Sequence, residues 1–86
     1  MREIRLSEHA RKKIELLASR NIEVSEQFVI ETIQSPTKVE SIEEGKMVAQ
    51  RPLNDRLVLR VVYREFDAFV LAITVYPGRK SRYERN

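Results

Sequence analysis

Hydrophobic and polar positions change rhythm twice along this chain. Residues 2–6 (Arg-Glu-Ile-Arg-Leu) alternate polar and apolar, the pattern of a short half-buried strand. Ser7 then offers a helix N-cap with Glu8 in the first turn, where a negative charge meets the positive end of the helix dipole. Ala10, Ile14, Leu17 and Ala18 recur at helical spacing and predict an amphipathic helix, with Arg11, Lys12, Lys13 and Glu15 on its flanks and outer side. Asn21 is a helix stop. Ser25 and Glu26 repeat the start signal, Phe28, Val29 and Ile33 form a second stripe, and Ser35-Pro36 ends it. The first third of the chain therefore predicts an αα-hairpin behind a short strand.

After Pro36 the period becomes two. Lys38–Glu43 is a weak, acidic strand, and Lys46–Arg51 is a better one between Gly45 and Pro52. Leu53-Asn54-Asp55-Arg56 marks a hairpin turn into Arg56–Arg64, the clearest strand of the chain. A tight turn near Glu65–Ala68 leads to Phe69–Tyr76, with Pro77-Gly78 as its end. The order β-α-α-β-β-β-β predicts an α+β fold: two N-terminal helices packed on one face of a mainly antiparallel sheet. Alternation puts Leu57, Leu59, Val61 and Tyr63 on one side, and Arg56, Val58, Arg60, Val62 and Arg64 on the other. On the next strand Phe69, Leu71, Ile73 and Val75 make the heavier apolar set, and Val70, Ala72, Thr74 and Tyr76 the lighter one. The two helices are expected to cover the heavier sets, which leaves an open face that displays arginines.

Composition narrows the function classes. Eighty-six residues, 42% of them apolar, suit one domain (1–86) with a compact core. There is no cysteine and a single histidine, so no disulfide or thiolate site is possible and no metal or cofactor is expected. The longest apolar stretch, Phe69–Val75, is far short of a membrane span, the first residues lack a signal-peptide core, and a cytoplasmic location is the expectation. The net charge is only +3, but it is unevenly placed: +3 over residues 1–22, −5 over 23–44, +2 over 45–77 and +3 over the tail 78–86. A basic chain with an acidic middle suits one surface for a polyanion, although scatter in a small protein gives the same profile.

Candidate chemistry is arginine- and tyrosine-based. Arg60 and Arg64 stand about 13 Å apart along an extended strand, within reach of two phosphates of a single strand. The planar guanidinium fork grips phosphate through two parallel hydrogen bonds, whereas the alternative is an ordinary wet sheet face. The tail places Arg79, Lys80, Arg82 and Arg85 around Tyr83, just beyond Tyr76, a mixture of cations and rings suited to RNA, or else a solubilising terminus. This tail is expected to fold back beside the open face. His9 is either a neutral base at a helix start or a partly buried histidine bonded to backbone. The acidic pairs Glu40/Glu43 and Glu43/Glu44 read as solvated loop charge. No nucleophilic triad, paired-carboxylate site or glycine-rich phosphate loop is visible.

Leu6-Ser7-x-His9-Ala10-Arg11-x-Lys13-Ile14, Arg20-Asn21-Ile22, the Ser35-Pro36 close, Leu59-Arg60-Val61-Val62-Tyr63 and Ile73-Thr74-Val75-Tyr76-Pro77 together resemble the DUF4258 family, over about residues 4–83. That family is similar in layout to the RelE/ParE superfamily of toxin–antitoxin toxins. The resemblance implies a toxin that cuts messenger RNA without metal, or blocks translation at the ribosome, and a cognate antitoxin protein as partner. It implies that Arg60, Arg79 and Arg82 stabilise a phosphorane and that Tyr83 or His9 moves the proton. Arg51, Arg56, Arg64, Tyr76 and Lys80 would bind the nucleic acid. RelE toxins carry a lysine-rich catalytic strand, where this chain has Lys46, Gln50 and Arg51. ParE-like members inhibit gyrase and cleave nothing, so a non-enzymatic nucleic-acid- or partner-binding module stands as the alternative.

Overall fold

A single serine ties the first strand, the first helix and the last strand together. In the computed structural model, which describes residues 2–84, β1 (Glu3–Leu6) leads directly into α1 (Glu8–Ala18) through Ser7. Ser7 has extended backbone angles, and its Oγ accepts the N–H of Ala10 at 3.0 Å, as an N-cap should. The same hydroxyl donates to the carbonyl of Ile73 at 2.7 Å, and the Ser7 N–H donates to the carbonyl of Ala72 at 2.9 Å. α1 ends where the sequence signals a stop: Asn21 takes a positive φ of 63°, a conformation Asn tolerates better than most residues. The Ile22 N–H then returns to the carbonyl of Leu17. α2 (Glu26–Gln34) starts at Ser25, whose Oγ accepts the Phe28 N–H at 3.0 Å, and ends before Pro36.

The rest of the chain is sheet: β2 (Lys38–Glu43), β3 (Lys46–Pro52), β4 (Leu57–Glu65) and β5 (Phe69–Arg79), followed by one turn of helix, α3 (Lys80–Tyr83). The strand order is β1-β5-β4-β3-β2; β2 to β5 form an antiparallel meander and β1 lies parallel to β5 at the far edge. This is the expected α+β architecture. Asn54 makes the β3–β4 turn by accepting the N–H groups of both Arg56 and Leu57 at 2.9 Å. α1 and α2 pack on one face, where Ala10, Leu17, Val24 and Val29 meet Leu59, Val61, Ala72 and Val75. Val29, Leu59, Val61 and Val75 are wholly buried, each stabilising the fold by about 1.5–3 kcal/mol. Among the described residues no helix is long and apolar enough to cross a membrane.

Three local expectations are overturned. Regular alternation would have sent Phe69, Leu71, Ile73 and Val75 to the helices. Instead the register moves from Val62↔Thr74 to Tyr63↔Ala72, so Ile73 is an extra residue in a β-bulge. Val70 and Ala72 are therefore in the core with Val75, while Phe69 and Leu71 turn to the opposite face beside Glu3 and Arg5. The bulge residue is the one whose carbonyl Ser7 holds. Pro77-Gly78 does not end β5, which continues in register with β4 as far as Arg79 opposite Leu57. β1 accompanies β5 only from Phe69 to Ala72, so one edge of β5 is unpaired at Pro77, where a residue lacking an N–H is tolerated. Finally, the face away from the helices is not bare: Val48, Val58 and Val62 are buried there, and α3 folds back over β4 and β5.

Ser7→Ala removes both the cap and the anchor on the bulge. It should cost about 1–2 kcal/mol, the upper part of the range for a lost N-cap, read as a lower urea midpoint at unchanged slope.

Candidate functional site

Arg60 occupies the middle of β4 on the face turned away from α1 and α2, in register with Gln50 of β3 and Tyr76 of β5. It is only 5% exposed, an unusual state for an arginine, and its surroundings explain how the charge is tolerated. Nε donates to the Tyr76 hydroxyl oxygen at 2.9 Å, one terminal nitrogen donates to Oε1 of Gln50, and the other to Oε1 of Glu40 at 3.0 Å. The Tyr83 ring lies over the guanidinium with its centroid 4.2 Å from Cζ. Burial works against the positive charge, but the hydrogen bonds to Tyr76 and Glu40 outweigh it and hold the guanidinium more firmly protonated than usual. Its hydrogen bond in turn pulls the Glu40 carboxyl below the ordinary glutamate range; desolvation opposes this, and the charges of Arg60 and Lys38 add to the lowering.

Tyr83 reaches this position because α3 starts immediately after β5. The Lys80 N–H donates to the carbonyl of Arg56 at 2.8 Å, which turns the chain back across the sheet. The ring then lies directly on the backbone of Gly78: a Cβ there would stand 2.3 Å from Cε2 and 2.5 Å from Cδ2 of Tyr83. No other residue type allows that approach. At the same end of the sheet a groove of about 650 Å³ is lined by Asn54, Asp55, Arg56, Leu57, Arg79, Lys80 and Ser81. Three cations face one carboxylate there.

The structure thus sorts the residues singled out from the sequence. Arg60, Tyr76 and Tyr83 form one contiguous cluster, with the Arg82 guanidinium 5.6 Å from the Tyr83 ring. Arg56, Arg79 and Lys80 meet around the adjoining groove. Tail residues Arg85 and Asn86 lie outside the described residues. Three other candidates belong elsewhere. Arg51 is on the helix side of β3, where it lies over the Phe28 ring and reaches the carbonyl of Glu31, because odd-numbered positions of that strand face α2. Arg64 shares a face with Arg60 but folds over the β2–β3 turn, its guanidinium against Gly45 and the Glu44 carbonyl. Its Nε is buried with no acceptor among the described residues. His9 is exposed in the first turn of α1, across the sheet from Arg60. It is neither beside the cluster nor buried against backbone.

Sequence reasoning missed Glu40, Gln50 and Gly78. Glu40 looked like solvated charge, yet β2–β3 pairing brings it within reach of the central arginine. Gln50 was visible as a polar residue in an apolar strand, and only its cross-strand position shows why it is there. It is 2% exposed.

Arg60→Ala strands the buried Gln50 amide and unloads Glu40, so it should destabilise the fold by about 3 kcal/mol in urea titrations, with Arg60→Lys intermediate. Because the carboxyl of Glu40 is lowered in the folded state, its contribution is complete above the unfolded value near pH 4.5 and is lost as pH falls through the folded value. Glu40→Gln should lower stability at neutrality, where the carboxylate contribution is complete, and converge on the wild type as pH falls below about 4.5, which flattens the acid limb of the stability profile. An unchanged acid limb would show that the carboxylate is not coupled to folding.

No protein-family model matches this chain, and neither does any curated protein or solved structure.

Proposed function

We propose that this protein is a nucleic-acid-binding module that holds RNA phosphates at the α3 end of its sheet, in the manner expected of a toxin-like domain. The observation that carries this reading is the convergence of Arg56, Arg79 and Lys80 on one groove, where Asp55 is the one carboxylate among the described residues of the lining. Arg82, on the exposed side of α3, extends the positive surface towards Tyr83. Among the described residues none of these four cations has a carboxylate contact, in contrast to Arg2, Arg5 and Arg11, which pair with Glu65, Glu3 and Glu26. Exposed, uncommitted cations release condensed counterions when they meet a polyanion, and that release favours binding at low salt. The resemblance to the DUF4258 family supports RNA or the ribosome as the target and an antitoxin as the protein that silences it.

A second reading, metal-independent RNA cleavage, is favoured by the Arg60–Tyr76 pair. A guanidinium that donates to a phenol oxygen leaves the phenol proton free for transfer, and the same cation is suited to a developing phosphorane charge. In the present arrangement, however, Arg60 spends Nε and both terminal nitrogens on protein partners, and the Tyr83 ring covers it. Cleavage therefore requires α3 to move, whereas binding at the groove does not. Gyrase inhibition of the ParE kind would leave RNA uncut as well.

Binding of a labelled single-stranded RNA, followed by anisotropy from 25 to about 300 mM salt, is expected to weaken steeply. Arg79→Ala with Lys80→Ala should reduce the slope of log K against log salt by about two. A slope unaffected by that pair would remove the groove from consideration. Incubation of the RNA in EDTA, with and without ribosomes, separates the readings: intact RNA with salt-sensitive binding favours the module, and fragments lost in Arg60→Ala favour the nuclease.

A further inference from the structure

We propose that the place now filled by the Tyr83 ring is a seat for a pyrimidine base of single-stranded RNA, and that the tail of the chain holds that place until a base displaces it. The inference rests on the RNA-binding reading and names the part of the ligand that the groove does not explain.

The seat has a floor and a face. Gly78 is the floor: without a Cβ, the β5 backbone meets the Cδ2–Cε2 side of a six-membered ring, and even one methyl group would stand 2.3 Å from it. The Arg60 guanidinium is the face, 4.2 Å from the ring centroid; guanidinium planes are among the surfaces on which unpaired RNA bases stack. Glu40, Gln50 and Tyr76 surround the guanidinium and accept its hydrogen bonds, which hold that face in place. A buried arginine fixed by three strands keeps its plane in place whether or not Tyr83 is on it, because the bonds that orient it come from β2, β3 and β5 and not from α3. The seat is thus built by the sheet, and the occupant is supplied by the tail.

The occupant is held weakly. α3 is one turn long, its N-cap residue Arg79 makes no side-chain cap bond, and Ser81, Arg82 and Glu84 are exposed. Tyr83 is half-buried and is the residue that lies against the sheet. The Lys80 N–H bond to Arg56 anchors only the start of the turn, so the ring leaves by unwinding three residues beyond a fixed point. The phosphates of a strand whose base enters the seat would run towards Arg56, Arg79 and Lys80, which line the adjoining groove. A phenol ring matches a pyrimidine in size, and base stacking tolerates exchange of one flat ring for another.

The test compares the full chain with Tyr83→Phe, Tyr83→Ala and Tyr83→Ala combined with Gly78→Ala. Two probes are used at low salt: a labelled single-stranded oligonucleotide and cytidine monophosphate. Tyr83→Ala should bind the oligonucleotide about tenfold more tightly than the wild type and acquire measurable affinity for the monophosphate. Adding Gly78→Ala should abolish both gains by filling the floor, and Tyr83→Phe should behave as the wild type. Equal or weaker oligonucleotide binding by a folded Tyr83→Ala overturns the proposal, since the ring would then be a contact and not a placeholder. Should Tyr83→Ala fail to fold, the wild type decides: oligonucleotide must shift the Tyr83 ring resonances to solvent-exposed values, and unmoved resonances overturn the proposal. Oligonucleotide binding that is lost in Arg79→Ala/Lys80→Ala while the ring stays in place would leave the RNA reading intact and remove only the seat. No oligonucleotide binding by any variant would remove the RNA reading, and monophosphate affinity in Tyr83→Ala would still decide the seat.

Discussion

A guanidinium buried in the middle of a sheet has to be satisfied from every side, and in this protein that requirement organises one whole face. Arg60 draws a carboxylate from β2, an amide from β3, a phenol from β5 and an aromatic ring from α3. An unpaired charge at this depth would cost several kcal/mol, so strand order and register are penalised if any of these partners is misplaced. The acidic segment of the chain acquires a purpose in this light: Glu40 comes from the stretch of net charge −5, and the meander sets its strand two places from β4, within reach of Arg60.

The opposite face solves a different problem. Two short helices must be seated on a sheet whose last strand changes its alternation halfway along. The bulge at Ile73 makes that change, and Ser7 holds the bulge from the junction of β1 and α1. Without the extra residue, the set that ends in Val75 would run through Phe69 and Leu71, and the small Ala72 under the helices would be exchanged for bulkier side chains. Ala72 and Ala10 are both completely buried, which marks where helix and strand approach closely.

Between these faces the protein divides its arginines by role. Some are fixed: Arg60 within the sheet, Arg51 over Phe28, and Arg64 across the β2–β3 turn. Others, at Arg56, Arg79 and Arg82, stay at the surface beside Lys80. A cation already bonded to protein groups contributes to shape, while a solvated one is free to exchange water and counterions for phosphate. The proposed RNA contacts rest on the second group.

Helix starts and stops were legible in the chain because they depend on neighbours within a few residues: Ser7, Ser25, Asn21 and Pro36 act locally, and two periodicities separate helix from strand. The α+β class followed from the order of those signals. What local patterning could not contain was any fact set by partners far along the chain. The bulge at Ile73 reversed the faces of half a strand, Pro77 was tolerated because a neighbouring strand ends early, and Arg51 fell on the helix side. Arg60 looked like a wet-face arginine, yet tertiary pairing buried it by adding Glu40 from 20 residues away and Tyr76 from 16. A sequence specifies which residues alternate; only folded registers decide which of them meet, because hydrogen bonds and burial depend on distance in space and not along the chain.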